Sequence, residues 1–306
     1  MPRTPRLLIP NEPTVYHVMS RTALPGLPMG DVEKDYLLGL MKRLGRLYFT
    51  EIMGFCCMGN HFHLLVRMLP QEQFTDQDIL IRHQQFYGDK KLFSEGHIPC
   101  YRQKWASLSE FIKQLKQSFS RWYNKRSDRK GFFWSERFKS VIVEKGETLV
   151  NCLAYIDLNP VRAGIVAKPE QYRWSSLGFH VQAGSPGDFL SLDFGLKQFG
   201  QTDDTERLRR YREYVYEAGG LGDTSRGARI APEIVQQERR KGYVLSRQDR
   251  FLFRSRYFTD SAVIGTREFV QESFQRFRQV LKASTERQPK RITGLEGMYS
   301  LKRLGV

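Results

Sequence analysis

Residues 54–68 read GFCCMGNHFHLLVRM and place two histidines, His61 and His63, around a single phenylalanine. Side chains alternate across a strand, so His61 and His63 project from one face while Phe62, Leu64 and Val66 project from the other. Gly59-Asn60 supplies a turn after the apolar run 52–58, which puts the imidazole pair on a sheet near the start of a strand. Two histidines with ordinary hydrogen-bond partners fit the same pattern, because so short a motif recurs by chance. Zinc on Cys56, Cys57, His61 and His63 is a rival, but adjacent cysteines point to opposite faces and no C-x-x-C spacing is present. A hard divalent ion, Mg²⁺ or Mn²⁺, held by two imidazoles and an oxygen donor from elsewhere would keep positions open for a phosphate.

Working outward, residues 14–20 (TVYHVMS) have the β-branched and aromatic content of a first strand. His17 on it is a possible third ligand, but a lone strand histidine is more often structural, and it stays outside the expected site. Leu37, Leu40, Met41 and Leu44 recur at helical spacing, with Asp31 as an expected N-cap. A strand over 49–58 pairs with the histidine strand. Residues 70–105 read as a long connection with a short helix at 76–86. The capping box SLSE (107–110) opens a helix whose apolar stripe is Phe111, Leu115, Phe119 and Trp122.

Beside that stripe run Lys113, Lys116, Arg121, Lys125 and Arg126, and the basic run continues through Arg129, Lys130 and Arg137 with few acids between. A solvated helix face explains such charges, but their continuity favours phosphate contact. A strand is expected at 138–143 and a helix at 147–158, ended by Pro160. At about 100° per residue, Asn151, Tyr155 and Asn159 share one row at the border of that helix's apolar face. Further helices are expected at 205–218 and 267–281.

The 306 residues carry a net charge of +16, and 40% are hydrophobic, enough for a real core. The pI near 9.8 calls for a polyanionic partner. The excess is +10 within 205–306, where RYREYVY, RFLFRSRYF and FQRFRQV interleave aromatics with arginine in a way that suits nucleic acid. No apolar run reaches the roughly 18 residues of a membrane span, and the N-terminus lacks a secretory apolar core. Four cysteines form no disulfide framework. A soluble cytoplasmic protein associated with the nucleoid is expected, with no membrane partner, as a monomer or homodimer.

Taken together, YHVMSR, GFCCMGNHFHLLV, LKQSFSRWYNKR, GFFWSERFKS, LAYIDLNPVRAGIV and YRWSS resemble the REP-associated tyrosine transposases, single-tyrosine members of the HUH endonucleases. The resemblance covers about residues 16–176. It implies an α+β fold, a ferredoxin-like antiparallel sheet with helices on one face. His61 and His63 become ligands of a divalent ion, Tyr155 the nucleophile, and Asn159 a completing ligand weaker than the Gln or Glu of some relatives. It further implies nicking and rejoining of single-stranded DNA at palindromic hairpins through a 5′-phosphotyrosine. A phenol is a poor nucleophile at neutral pH, so such chemistry needs charge neutralisation at the phosphate. The expected organisation is a catalytic domain over 1–178, a linker with one helix over 179–220, and a basic helical region over 221–306. Two readings compete with nuclease chemistry: a non-catalytic module binding structured DNA or RNA on the same fold, and a metal-dependent hydrolase without a covalent step.

Overall fold

Eight-residue strands β1 (Thr14–Arg21), β2 (Thr50–Cys57) and β3 (His61–Met68), with the shorter β4 (Lys139–Val143), form the central sheet. The computed structural model describes residues 8–9, 11–88, 93–183, 189–191, 203–221, 227–246, 263–279, 288–291, 297 and 299–301. Strand order is β2-β3-β1-β4, every pairing antiparallel. With α1 (Asp31–Leu47) between β1 and β2 and α4 (Leu108–Arg126) between β3 and β4, this is the ferredoxin-like β-α-β-β-α-β plan within an α+β fold.

The alternation in the histidine strand sets the two faces. Tyr16, Val18, Phe62, Leu64 and Val66 are buried on one face, beneath α1 and α4. Phe62 meets Trp134 edge-on at 5.3 Å, and Trp134 in turn packs on Phe119 of α4 at 5.4 Å. Leu37, Leu40, Met41 and Leu44 are all buried as their spacing requires. Asp31 is the first helical residue instead of the cap: Gly30 holds the cap position, without a side-chain bond, and Asp31 stands in the first turn with Glu33, where acids favour the helix dipole.

The opposite face, which carries His61 and His63, is crossed by α5 (Glu147–Arg162). Its approach depends on the absence of a side chain at Gly54: a Cβ there would lie 2.1 Å from Leu153 Cδ1 and 3.0 Å from Ser176 Oγ. The β2–β3 register also shifts between Ile52 and Gly54, so the strand irregularity and the helix contact coincide. Helix α5 runs past Pro160 to Arg162 instead of ending there. Proline removes the N–H that would bond the Ile156 carbonyl. The Asn159 side-chain amide donates to that carbonyl at 3.3 Å and to Tyr155 O at 2.8 Å, and so covers the gap.

Within 70–105, the described residues 70–88 and 93–105 are largely helical. α2 (Asp76–Tyr87) begins with a capping box on Thr75, and α3 (Ile98–Trp105) follows. Arg82 donates to Arg46 O at 2.5 Å and Tyr48 O at 3.2 Å, closing the C-terminal end of α1. Ser107 caps α4 by accepting from Glu110 N at 3.3 Å, as SLSE promised.

Beyond α6 (Ser176–Ala183), α7 (Asp204–Gly220) and α8 (Pro232–Arg240) join the main core. The stretch RYREYVY is spent on packing here: Tyr211, Arg212, Val215 and Tyr216 are buried. Arg212 donates to Glu170 at 2.6 Å and Glu238 at 2.9 Å, and Tyr216 to Glu170 at 2.9 Å. Residues 228–246 thus belong with the main core, through Ile230, Val235 and Tyr243. Val270, Phe274 and Leu301 form a separate small cluster. It involves α9 (Arg267–Phe277), capped by Thr266, and the short strands β5 (Ile264–Gly265), β6 (Lys290–Arg291) and β7 (Tyr299–Ser300). RFLFRSRYF and Leu281 lie outside the described residues.

The Gly54 contact yields a double-mutant test. Gly54→Ala is expected to cost about 1–3 kcal/mol by overpacking, and Leu153→Ala about 2–5 kcal/mol by leaving a cavity. Urea unfolding of the double variant should show a loss smaller than the sum, by about 1 kcal/mol or more. Strict additivity would mean that α5 does not rest on Gly54.

Candidate active site

The register brings β1 and β3 side chains together on the α5 face. Met19 stands opposite His63 and Arg21 opposite His61, while β2 sets Cys56 opposite His63. His17, on the same face, lies 3.0 Å from His63 through its Nε2 and the His63 Nδ1. His61 Nδ1 is 2.7 Å from Asn60 Oδ1. An amide oxygen can only accept, so His61 carries its proton on Nδ1 and presents its lone pair at Nε2. The His17 contact likewise occupies His63 Nδ1, the donor being set by the tautomers of the two rings, and does not involve its Nε2.

All three rings are held neutral. Burial pushes His17 down to about 4 and His63 down to about 3, the latter helped by its neighbours His17 and His61. Burial, then the Arg21 cation, also lowers His61. Neutral imidazole is the form that binds a metal. Burial pushes the Cys57 thiol up to about 12 and the Cys56 thiol well up, and the register sets Cys57 opposite Phe62, on the face away from His61 and His63, so the four side chains do not share one face.

Tyr155 is carried by α5 over this group. Its ring meets His63 edge-on, with centroids 5.7 Å apart, and His17 at 6.0 Å. It keeps 39% of its surface exposed above two nearly buried imidazoles. From the last turn of α5, Arg162 places its guanidinium carbon 5.0 Å from the Tyr155 ring centre.

The rest of the expected row behaves differently. Asn151 Oδ1 accepts a hydrogen bond from Tyr214 of α7. The Asn159 amide nitrogen is turned to its own helix, as described above. Among the described residues no three His, Cys, Asp or Glu side chains converge on a metal position. The donor set nonetheless suits a divalent ion: two Nε2 atoms, each imidazole anchored at Nδ1, with remaining positions for oxygen donors. His17 is the residue that sequence reasoning set aside. The signal for it was its parity with Met19 and Arg21, which puts all three on one face of the first strand.

The basic residues divide. Lys113, Lys116, Arg121 and Arg137 line one cleft of about 1030 Å³ between α4 and residues 131–138. Lys125 is exposed in the last turn of α4, and Arg126 turns toward α1, 3.5 Å from Glu33. Arg129 and Lys130 stand in the following connection and do not line that cleft. Tyr123, another tyrosine among these charges, packs its ring 4.5 Å from buried Phe133.

A family model described as "Transposase IS200 like" matches residues 96–159, a span holding α4, β4 and α5 through Asn159. Among solved structures, the chain is similar to that of a REP-associated tyrosine transposase bound to a REP hairpin. The two share 17% identity over 62% of this chain and 92% of the other, with a TM-score of 0.42. No curated protein is matched. Among the described residues no helix is long and apolar enough to cross a membrane.

The histidine geometry makes a binding prediction that needs no turnover. Mn²⁺ titration followed by electron paramagnetic resonance should show His63→Ala losing specific binding. His17→Ala should weaken it about 10–100-fold by freeing the His63 ring. Wild-type affinity in His17→Ala would mean that His17 does not orient His63.

Proposed function

From the premise that this chain resembles the IS200-like transposases, we propose that it is a metal-dependent single-strand DNA endonuclease and transposase. It would act at hairpin-forming sequences through a 5′-phosphotyrosine on Tyr155. The observation that carries this reading is the placement of Tyr155: a half-exposed phenol on a rigid helix, edge-on over the His63 ring at 5.7 Å.

The proposed step is an in-line displacement. The Tyr155 oxygen attacks the scissile phosphorus, a Tyr–O–P bond forms, and the P–O3′ bond breaks. The phenol proton leaves to solvent, and the departing 3′ oxygen takes one up. A Mg²⁺ or Mn²⁺ ion on His61 and His63, with Asn159 or the phosphate itself supplying oxygen, would neutralise charge on the phosphate. Burial keeps His61 and His63 unprotonated for that task, and the Asn60 and His17 contacts hold their rings. Arg162 adds a fixed cation beside the attacking ring. The phosphotyrosine retains the phosphodiester's energy, so a second 3′-hydroxyl can displace the tyrosine and reseal DNA without a nucleotide cofactor. Lys113, Lys116, Arg121 and Arg137 would hold the backbone in their cleft, with Lys125, Arg126, Arg129 and Lys130 extending the positive surface. A DNA partner in the nucleoid accords with the +16 charge.

A labelled single-stranded hairpin incubated with protein and Mn²⁺ should yield a covalent adduct that survives denaturing electrophoresis. Tyr155→Phe is expected to bind the hairpin as wild type does yet form no adduct, while Tyr123→Phe still forms one. Peptide mapping should find the DNA on the Tyr155 peptide. DNA on any other peptide overturns the assignment, and hairpin binding without adduct in wild type would favour the non-catalytic module.

A further inference from the structure

We propose that the cleft between α4 and residues 131–138 is a subsite for unpaired DNA, in which one base stacks on Phe132 while flanking phosphates lie on Arg121 and Arg137. This rests on the nuclease reading only for the route of the strand, not for the stacking itself.

Phe132 is 87% exposed, whereas its neighbour Phe133 is fully buried. The exposure is imposed by the backbone. Gly131 adopts φ +97°, a conformation open to glycine, and its carbonyl accepts from Asn124 Nδ2 at 2.8 Å. On the other side Trp134 Nε1 donates to Lys116 O at 3.1 Å. The backbone is thus anchored on either side of Phe132, whose side chain lines the cleft. A lone exposed phenylalanine is commonplace on protein surfaces. This one shares its cleft with four cations and two carboxylates, Glu110 and Glu136, and Lys113 is matched by Glu110 at 3.1 Å. Arg121 and Arg137 make no ion pair among the described residues. An aromatic face amid cations suits a base flanked by phosphates, since every base has a face to stack and every linkage a charge.

The cleft reaches the end of β1. Ala23 lines it, and Ala23 N donates to Phe133 O at 2.7 Å. Two residues earlier, Arg21 O accepts from Ser135 N at 3.0 Å, and Arg21 stands opposite His61 in the sheet. The end of β1 therefore carries both Ala23 at the cleft and, two residues earlier, the Arg21 that pairs with His61. A strand leaving the scissile phosphate along the end of β1 enters the cleft unpaired, because a stacked duplex has no free base face to offer Phe132.

Fluorescence anisotropy with labelled oligo(dT), which has neither hairpin nor nicking site, tests the subsite directly in the full chain. Phe132→Ala is expected to weaken binding about tenfold, with Phe132→Trp at or above wild-type affinity. The salt slope should stay unchanged in Phe132→Ala and become shallower in Arg121→Gln/Arg137→Gln. Binding of a fully paired, end-closed duplex should be indifferent to Phe132. Wild-type oligo(dT) affinity in Phe132→Ala, a Trp variant as weak as the Ala variant, or an equal loss on closed duplex each overturns the proposal. An equal loss on oligo(U) with a wild-type preference for it would overturn the DNA assignment in favour of RNA. The adduct assay on Tyr155 reads out separately, so adduct formation with no Phe132 effect sinks the subsite alone. A Phe132 effect without adduct sinks the nuclease reading alone.

Discussion

Everything on the α5 face follows from one steric allowance, the missing side chain at Gly54. A helix normally stands off a sheet by the thickness of two layers of side chains. Here Leu153 takes the space a Cβ would fill, and α5 settles against β2. That depth sets the height of Tyr155, two residues further along the same helix, above His17 and His63. A helix riding higher would hold the same residues without bringing the phenol to the imidazoles.

The second determinant is desolvation. The α5 cover that brings the tyrosine also removes water from His17 and His63, so burial alone biases these rings toward the unprotonated state. One packing event thereby supplies both a positioned hydroxyl and imidazoles biased toward the neutral form. The Asn159-Pro160 pair adds the last piece. Asparagine's own amide repairs the helix that proline interrupts, so α5 stays straight enough to present Arg162 beside Tyr155. That use of the Asn159 nitrogen is structural in itself, independent of any role for its oxygen.

Much of this was legible in the sequence because it is local. Alternation in HFHLLV fixed which residues face the helices, and SLSE and the Leu37–Leu44 spacing marked their helices. The histidine pair was visible for the same reason. What was not legible depends on pairing register or on distant partners. His17 joins His63 only through the β1–β3 register, a fact absent from either segment. RYREYVY looked like a nucleic-acid surface because arginine and tyrosine are usually exposed. Its Arg212 is buried since Glu170 and Glu238, far along the chain, neutralise it. Pro160 was read as a stop because the compensating amide came from the preceding side chain, which the proline rule does not consider.

The Arg212 cluster has a bearing on synthesis. Arg212 joins Glu170, just after the tyrosine helix, to Glu238 on α8, and Lys168 adds to the same carboxylate at 2.9 Å. A buried cation with one of its two anions missing is strongly unfavourable. As the chain leaves the ribosome, the histidine sheet and α5 emerge first, but the layer that braces α5 cannot close until Glu238 has followed. A growing chain therefore passes its imidazoles and its tyrosine into the cell well before they are locked together. Translation order itself delays the bracing of α5 until Glu238 has emerged.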